Sequence, residues 1–279
     1  MTRLTDVTIC AADCLTPGLA ARALARSTRH LDFADIVLFT HESVSCVGRT
    51  VQIDRLDSRI AYSAFMLRGL VEHIKTPYVL VAQWDGFVVD PTSWSSDFLG
   101  VDYVGAWWGW FQDGRNVGNG GFSLRSRKLL ERTADRCANL DTEVNEDMVI
   151  CRVLRPALEA EDGIVFAPQR LANRFSYERE PPSNPTFGFH GVFNFWRHVD
   201  DSEVLGLLPE LPASVVTSQE FIDLVLTYLQ HRKFSMFLDM YGAIRRWETV
   251  ESTLQKFRSV LTEPGTAERV VAFGERLTR

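Results

Sequence analysis

The segment that most restricts what this chain can become is Tyr78-Val-Leu-Val-Ala-Gln-Trp-Asp-Gly-Phe-Val-Val-Asp90. A continuous apolar run of this kind reads as a strand buried on both faces, and it stops at a lone acid, Asp85, with glycine directly behind it. In open α/β sheets, ligands bind outside the carboxyl ends of the strands. A carboxylate there can hold a cation or a substrate hydroxyl. The same Asp-Gly pair equally describes a plain turn, and both readings stand at this level.

The flanking sequence supplies the rest of such a sheet. Asp6–Ala12 reads as a first strand, and Thr16-Pro17 as a helix start with proline at its first position. The helix extends to about His30, and Ala34–Thr40 forms a second strand. This β-α-β opening implies parallel pairing with a right-handed crossover. Ile60–Ile74 has helical spacing and stops before Pro77. A short helix is expected from Pro91, strands over Tyr103–Trp107 and Ile164–Pro168, and a helix from Ser126 through Cys137. Asn145-Glu-Asp147 opens another helix, and residues 178–189 form a loop. Gln219–Leu229 and Phe234 to about Trp247 are expected helices, forming an appendage packed on the domain.

Composition narrows the class. The 279 residues carry 30 basic and 36 acidic side chains, a formal charge of -6, which argues against a broad nucleic-acid-binding face. No apolar run reaches the roughly 18 residues of a membrane span, and the N-terminus has no signal-like apolar core, so a cytoplasmic location is expected. Cys10, Cys14, Cys46, Cys137 and Cys151 lack paired spacing and neighbouring histidines. They read as reduced, mostly buried thiols rather than a zinc site. The chain contains no hydrolase nucleophile elbow, kinase signature or HExxH motif.

Four positions can carry chemistry. Asp85 is the first. Asn119-Gly120-Gly121 is either a structural turn or a loop offering backbone N–H groups to a polar ligand. Glu146 and Asp147 are either helix-start acids or a general base, which requires an ionised carboxylate facing the nucleophile. His190 is either a packed imidazole or, paired with an Asp oxygen, a ligand for a divalent ion that also takes diphosphate oxygens. Trp84, Trp107, Trp108 and Trp110 can stack on a base or sugar, although tryptophan most often packs.

Taken in order, Tyr62-Ser-Ala-Phe65, Val81-Ala-Gln-Trp-Asp-Gly-Phe87, Val117-Gly-Asn-Gly-Gly-Phe-Ser-Leu-Arg125, Asn145-Glu-Asp147 and Phe187-Gly-Phe-His-Gly191 resemble the DUF5672 type of glycosyltransferase-like proteins. The resemblance implies one GT-A-like domain over 1–279: a three-layer α/β/α sandwich with a mostly parallel central sheet. Residues 1–107 would be the nucleotide-sugar half, 108–200 the acceptor and catalytic half, and 201–279 the helical appendage. It further implies transfer of a sugar from a nucleotide-sugar donor, UDP-sugar first among them, to a glycan or other hydroxyl acceptor. The transfer would be inverting and assisted by Mn²⁺ or Mg²⁺. In the acid-x-acid element of GT-A enzymes the matching residues here are Gln83-Trp84-Asp85, so only the last acid is kept. By the same resemblance Asp85 and His190 are metal ligands, and Asp147, or else Glu146, is the base. Gln83, Trp84, Asp85, Trp108, Asn119, Gly120 and Gly121 line the donor and acceptor. Should no metal take part, Arg115, Arg125 or Arg174 would supply positive charge. The alternative is a non-catalytic carbohydrate- or nucleotide-binding module on the same scaffold.

Overall fold

The computed structural model describes residues 2–138, 143–180 and 182–277. It divides into two compact units, one up to His190 and the other from Gly191 onward.

The first unit opens with β1 (Thr2–Ala12), α1 (Pro17–Ser27) and β2 (Leu31–Thr40), and β1 and β2 pair in parallel as expected. The strands start earlier than the apolar pattern suggests, because exposed residues such as Thr2 and Asp32 still share the ladder. Thr16 occupies the cap position of α1, but Asp13 satisfies the local backbone instead: its Oδ1 accepts from Leu15 N–H and Thr16 N–H at 2.7 and 2.6 Å. A third parallel strand, β3 (Arg49–Gln52), extends the edge. The expected helix over 60–74 is α2 (Arg59–Ala64) and α3 (Leu70–His73), joined through a π-helical turn at Phe65–Gly69.

β4 (Tyr78–Val81) pairs in parallel with β1 at the centre of the sheet. Here one expectation is corrected: the strand does not run on to Asp85. Its last ladder bond is Ala82 N–H to Cys10 O at 2.8 Å. The backbones of Gln83 and Gly86 then bond to each other in both directions, at 2.9 and 3.0 Å, closing a tight turn with Trp84 and Asp85 at its corners. The Asp-Gly pair therefore acts as a turn and still leaves its carboxylate at the carboxyl end of the central strand.

Gly105 divides the expected Tyr103–Trp107 strand into β5 (Tyr103–Val104) and β6 (Ala106–Trp107), which belong to different sheets. A Cβ at Gly105 would overlap the carbonyl of Gly118, so only glycine permits this close crossing. β7 (Val117–Gly118) pairs with β6, and β8 (Ser123–Ser126) runs antiparallel between β4 and β5. The main sheet thus has the order β3-β2-β1-β4-β8-β5. Alternate residues along its strands feed two cores. Val7, Ile9, Leu38 and Leu80 pack with Leu24 of α1, whereas Cys10, Val37, Phe39 and Val81 pack with Met66, Leu70 and Ile74. This is the expected mixed α/β layering around a largely parallel sheet, and it explains why β4 is apolar throughout.

Next come α4 (Arg127–Cys137), α5 (Glu146–Met148), a π-helical turn (Val149–Val153), α6 (Arg155–Ala160) and α7 (Gln169–Phe175). The strand expected over 164–168 is only a single parallel bridge from Phe166 to Tyr103, made by Tyr103 N–H to Val165 O and Ala167 N–H to Tyr103 O, and the pairing goes no further. β9 (Ser176–Tyr177) and β10 (Gly188–Phe189) complete a second small sheet of order β10-β9-β6-β7. All five cysteines are free thiols, four of them buried.

The second unit is helical: α8 (Phe195–His198), α9 (Asp201–Leu207), α10 (Ala213–Val216), α11 (Gln219–Gln230), α12 (Phe234–Arg245), α13 (Val250–Arg258) and α14 (Thr266–Leu277). The two expected helices are α11 and α12, whose buried Leu224, Tyr228, Phe237 and Tyr241 form its centre. Among the described residues no helix is long and apolar enough to cross a membrane.

Ser126 joins β8 to α4. Its Oγ accepts from Leu129 N–H at 3.0 Å and donates to Asp102 Oδ1 at 2.6 Å. Loss of a helix cap of this kind costs about 1–2 kcal/mol. Ser126→Ala is expected to lower the urea midpoint accordingly, with the slope unchanged.

Candidate active site

The turn after β4 brings Gln83 and Asp85 to one place, and β10 delivers His190 to the same place. Phe187 and Phe189 anchor that strand: Phe187 packs edge-on to Trp94 at 5.1 Å and Phe189 edge-on to Phe87 at 4.9 Å. His190 Nε2 lies 3.1 Å from Gln83 Oε1 and 3.7 Å from Asp85 Oδ1. Asp85 is 6% exposed. The two residues expected to share an ion therefore converge, although they are 105 positions apart (190 − 85).

The other face of the imidazole meets a residue that sequence reasoning missed. Glu178 Oε1 is 3.1 Å from His190 Nδ1, and Glu178 Oε2 accepts from Trp108 Nε1 at 3.3 Å. Burial pushes the Glu178 carboxyl up. The hydrogen bond and charge of His190, with bonds from Asn119 and Trp108, outweigh that and hold it below its ordinary value. Glu178 had only its place at the head of a Pro-rich loop to mark it. Pro181 of that loop lies outside the described residues.

Asn119 sits in the left-handed region at φ 76°, which asparagine tolerates better than most residues. It is 2% exposed and serves the site from behind. Its Oδ1 accepts from Phe122 N–H at 3.1 Å, its carbonyl accepts from Tyr103 Oη–H at 2.8 Å, and its Nδ2 stands 2.9 Å from His190 Nδ1. Its side chain thus steadies His190. Trp108 is likewise interior, 4% exposed, while Trp84 is half-buried at the turn and Trp110 projects outward.

Gly120 and Gly121 are squeezed from two directions. A Cβ on Gly120 would overlap the Glu146 carboxylate, and one on Gly121 would overlap the Nε2 edge of His190 and lie 2.8 Å from Gln83 Oε1. Gly120 N–H donates to Asp147 Oδ2 at 3.2 Å, and Met148 N–H to Asp147 Oδ1 at 2.7 Å. The dipeptide therefore touches the Asp147 carboxylate at one residue and the His190–Gln83 group at the next.

The paired acids separate cleanly. Glu146 is 5% exposed, and its Oε1 accepts from Arg125 Nη2 at 3.3 Å, while Arg125 is fully buried. Burial pushes the Glu146 carboxyl up against the opposing pull of Arg125. Asp147 is partly exposed and is the member of the pair that can meet a substrate. Arg125 also donates to Gly120 O and Ser123 Oγ, so it acts as an internal clamp and does not supply charge to a phosphate. The other two arginines are engaged as well, Arg115 with Glu159 at 3.4 Å and Arg174 with Asp97 at 3.0 Å. Of the three, Arg125 is closed off from any ligand by burial, whereas Arg115 and Arg174 keep half-exposed side chains in surface ion pairs.

Among the described residues no group of three or more His, Cys, Asp and Glu side chains is placed to hold an ion. The donor chemistry nevertheless suits Mn²⁺ or Mg²⁺ at Asp85 and His190. A carboxylate oxygen and an imidazole nitrogen 3.7 Å apart can both reach an ion at about 2 Å, and an outer carboxylate orients the imidazole.

The fold is that of a mixed α/β protein with a largely parallel sheet, and the cluster is a candidate site at the carboxyl end of its central strand. The family model described as a protein of unknown function, DUF5672, matches residues 48–190, just over half of the chain, and the chain belongs to that family. No curated protein sequence matches it. Among solved structures it is similar to a glycosyltransferase involved in glycosylation of the major capsid of PBCV-1, at 11% identity and a TM-score of 0.44, covering 66% of this chain and 91% of that one. It is also similar to the galactosyltransferase LgtC in complex with donor and acceptor sugar analogues (13%, TM-score 0.41, 66% and 86%). A third is the mannosyltransferase PcManGT from Pyrobaculum calidifontis in complex with GDP-Man and Mn²⁺ (12%, TM-score 0.38, 98% and 80%).

Two outcomes test the architecture. Arg125→Ala strands the buried Glu146 charge and is expected to cost about 3–5 kcal/mol, against a much smaller loss for the double variant Arg125→Met with Glu146→Gln. Gly121→Ala should keep the fold by circular dichroism while displacing His190, seen as a shift of its imidazole NMR signals.

Proposed function

We propose that this protein is a glycosyltransferase that moves a sugar from a nucleoside-diphosphate sugar to a hydroxyl acceptor with inversion, assisted by Mn²⁺ or Mg²⁺. The observation that carries the reading is the convergence of Asp85 and His190 beside Gly121, with Asp147 held against Gly120. In this reading residues 1–107 serve the nucleotide and 108–200 the acceptor side.

Asp85 and His190 hold the divalent ion, which when bound offsets negative charge on the leaving diphosphate. Glu178 and Asn119 fix the imidazole plane from behind. Asp147, its two oxygens oriented by backbone N–H groups, takes the proton of the acceptor hydroxyl. That hydroxyl oxygen bonds to the anomeric carbon as the carbon–oxygen bond to diphosphate breaks, and the nucleoside diphosphate departs with the bonding electrons. A single in-line displacement of this kind inverts the anomeric centre.

The assay is release of nucleoside diphosphate from a panel of UDP-, GDP- and dTDP-sugars, with Mn²⁺ and with EDTA. Asp147→Asn is expected to reduce turnover by about 10²–10⁴-fold with donor binding retained. Asp85→Asn should abolish the Mn²⁺ response. Saturable donor binding with no released nucleotide from the whole panel, with acceptors present, would indicate a binding module instead.

A further inference from the structure

We infer that the acceptor is a glycan, and that the exposed indole of Trp110 is the platform on which its sugar ring stacks, with the Glu180 carboxylate beside it to accept hydroxyl protons. The inference rests on the transferase reading above and narrows its acceptor from any hydroxyl to a sugar.

Residues 108–116 form a loop closed on itself. Trp108 N–H donates to Asn116 O at 2.6 Å, and the buried Asn116 side chain returns its Nδ2 to the carbonyls of Trp108 and Phe111. Gly114 turns the tip at φ 77°, and Arg115 N–H donates to Asp113 Oδ1 at 3.2 Å. Arg152 bolts the loop down. Its Nη2 donates to Asp113 Oδ2 at 2.7 Å, its Nη1 to Arg115 O at 2.6 Å, and its guanidinium lies 3.8 Å over the Phe111 ring. Arg152 belongs to the π-helical turn after α5, five residues beyond Asp147 (152 − 147). At the other end, Trp108 Nε1 donates to Glu178, whose second oxygen meets His190. The loop is thus tied to the elements that carry both the candidate base and the imidazole.

Three rings adjoin in it. Trp108 is 4% exposed and Phe111 half-buried, whereas Trp110 is 51% exposed, with its centroid 5.8 Å from Trp108 and 6.1 Å from Phe111. An exposed indole alone needs no explanation. Here the inner rings back it and the loop fixes it, so it offers a flat apolar surface with its ordering already complete. Gly109 adds the polar part. A Cβ there would overlap the Glu180 carboxylate, so that acid fills the space of the missing side chain, directly before Trp110. A pyranose ring has matching parts: C–H groups suited to an aromatic face, and hydroxyls that donate to a carboxylate. A lipid alcohol lacks the hydroxyl array, and a serine hydroxyl lacks the flat apolar face. A nucleotide would bring its phosphates toward the charge of Glu180.

The test titrates the full chain with methyl glycosides of glucose, galactose, mannose and N-acetylglucosamine, with and without UDP and Mn²⁺. The Trp110 indole N–H resonance, assigned by its loss in Trp110→Phe, is expected to shift saturably with at least one of them. Saturation-transfer NMR of that glycoside then ranks the variants, with thermal unfolding as a check on folding. Trp110→Leu should weaken binding about 10-fold or more, the scale of a lost aromatic anchor. Trp110→Phe, which keeps a flat ring, should retain most of it, and Glu180→Gln should weaken it by about 10-fold. UDP affinity should be unchanged in Trp110→Leu. No shift from any glycoside, or equal binding by Trp110→Leu and the unaltered protein, overturns the platform. A loss of UDP affinity in Trp110→Leu does so too, because the indole would then lie under the base. Full binding in Glu180→Gln removes the carboxylate from the inference. Glycoside binding at Trp110 with no nucleotide released from any donor upholds the platform and ends the transferase reading.

Discussion

The Gly120–Gly121 dipeptide is the constraint on which the site depends. Its two missing side chains admit Glu146 on one residue and His190 on the next, and its first N–H holds Asp147. Backbone atoms at this density pack like any protein interior, where one added methyl group forces neighbours aside. The candidate base and the candidate ion site are therefore registered against each other through a few ångströms of main chain. Arg125 secures the dipeptide from beneath, bonding both Gly120 O and Glu146.

That buried Arg125–Glu146 pair is a costly device. Taking two charges out of water is repaid only by close geometry and further hydrogen bonds, and an apolar pair often serves stability as well or better. What the pair supplies here is position. It fastens β8 to the start of α5, and with it the orientation of Asp147. The main sheet carries the opposite end of the arrangement, since β4, apolar on both faces, sets the turn that bears Gln83 and Asp85.

Much of this was legible in the sequence, because period and punctuation report local physics. The β-α-β opening, the helix over 60–74, the apolar strand entered at Tyr78 and the helix opening at Asn145 all follow from spacing, proline and capping. The family resemblance rested on the same ordered blocks, and it located Asp85 and His190, whose side chains meet. What stayed hidden depends on tertiary approach. The splitting of 103–107 at Gly105 follows from how closely the Gly118 carbonyl passes. Arg125 reads as a free cation until its burial is known, and Glu178 as a loop acid until it meets His190. Asn119 reads equally as a turn residue or a ligand contact, and only the fold shows that it and Trp108 brace the imidazole and its carboxylate.

The second small sheet has a further consequence. Each of its four strands contributes only two residues, yet the stretch that ends in His190 is bonded on both sides: Phe187 N–H to Arg174 O and His190 N–H to Tyr177 O on one, and Val89 and Asp90 N–H to Phe187 O on the other. Rings add to that hold: Phe187 and Phe189 are wedged among Trp94, Phe98, Phe122 and Phe87. The imidazole is thus set by main-chain bonds on two sides and by a layer of aromatic side chains behind it, so a change among those rings would reach the candidate site only through His190.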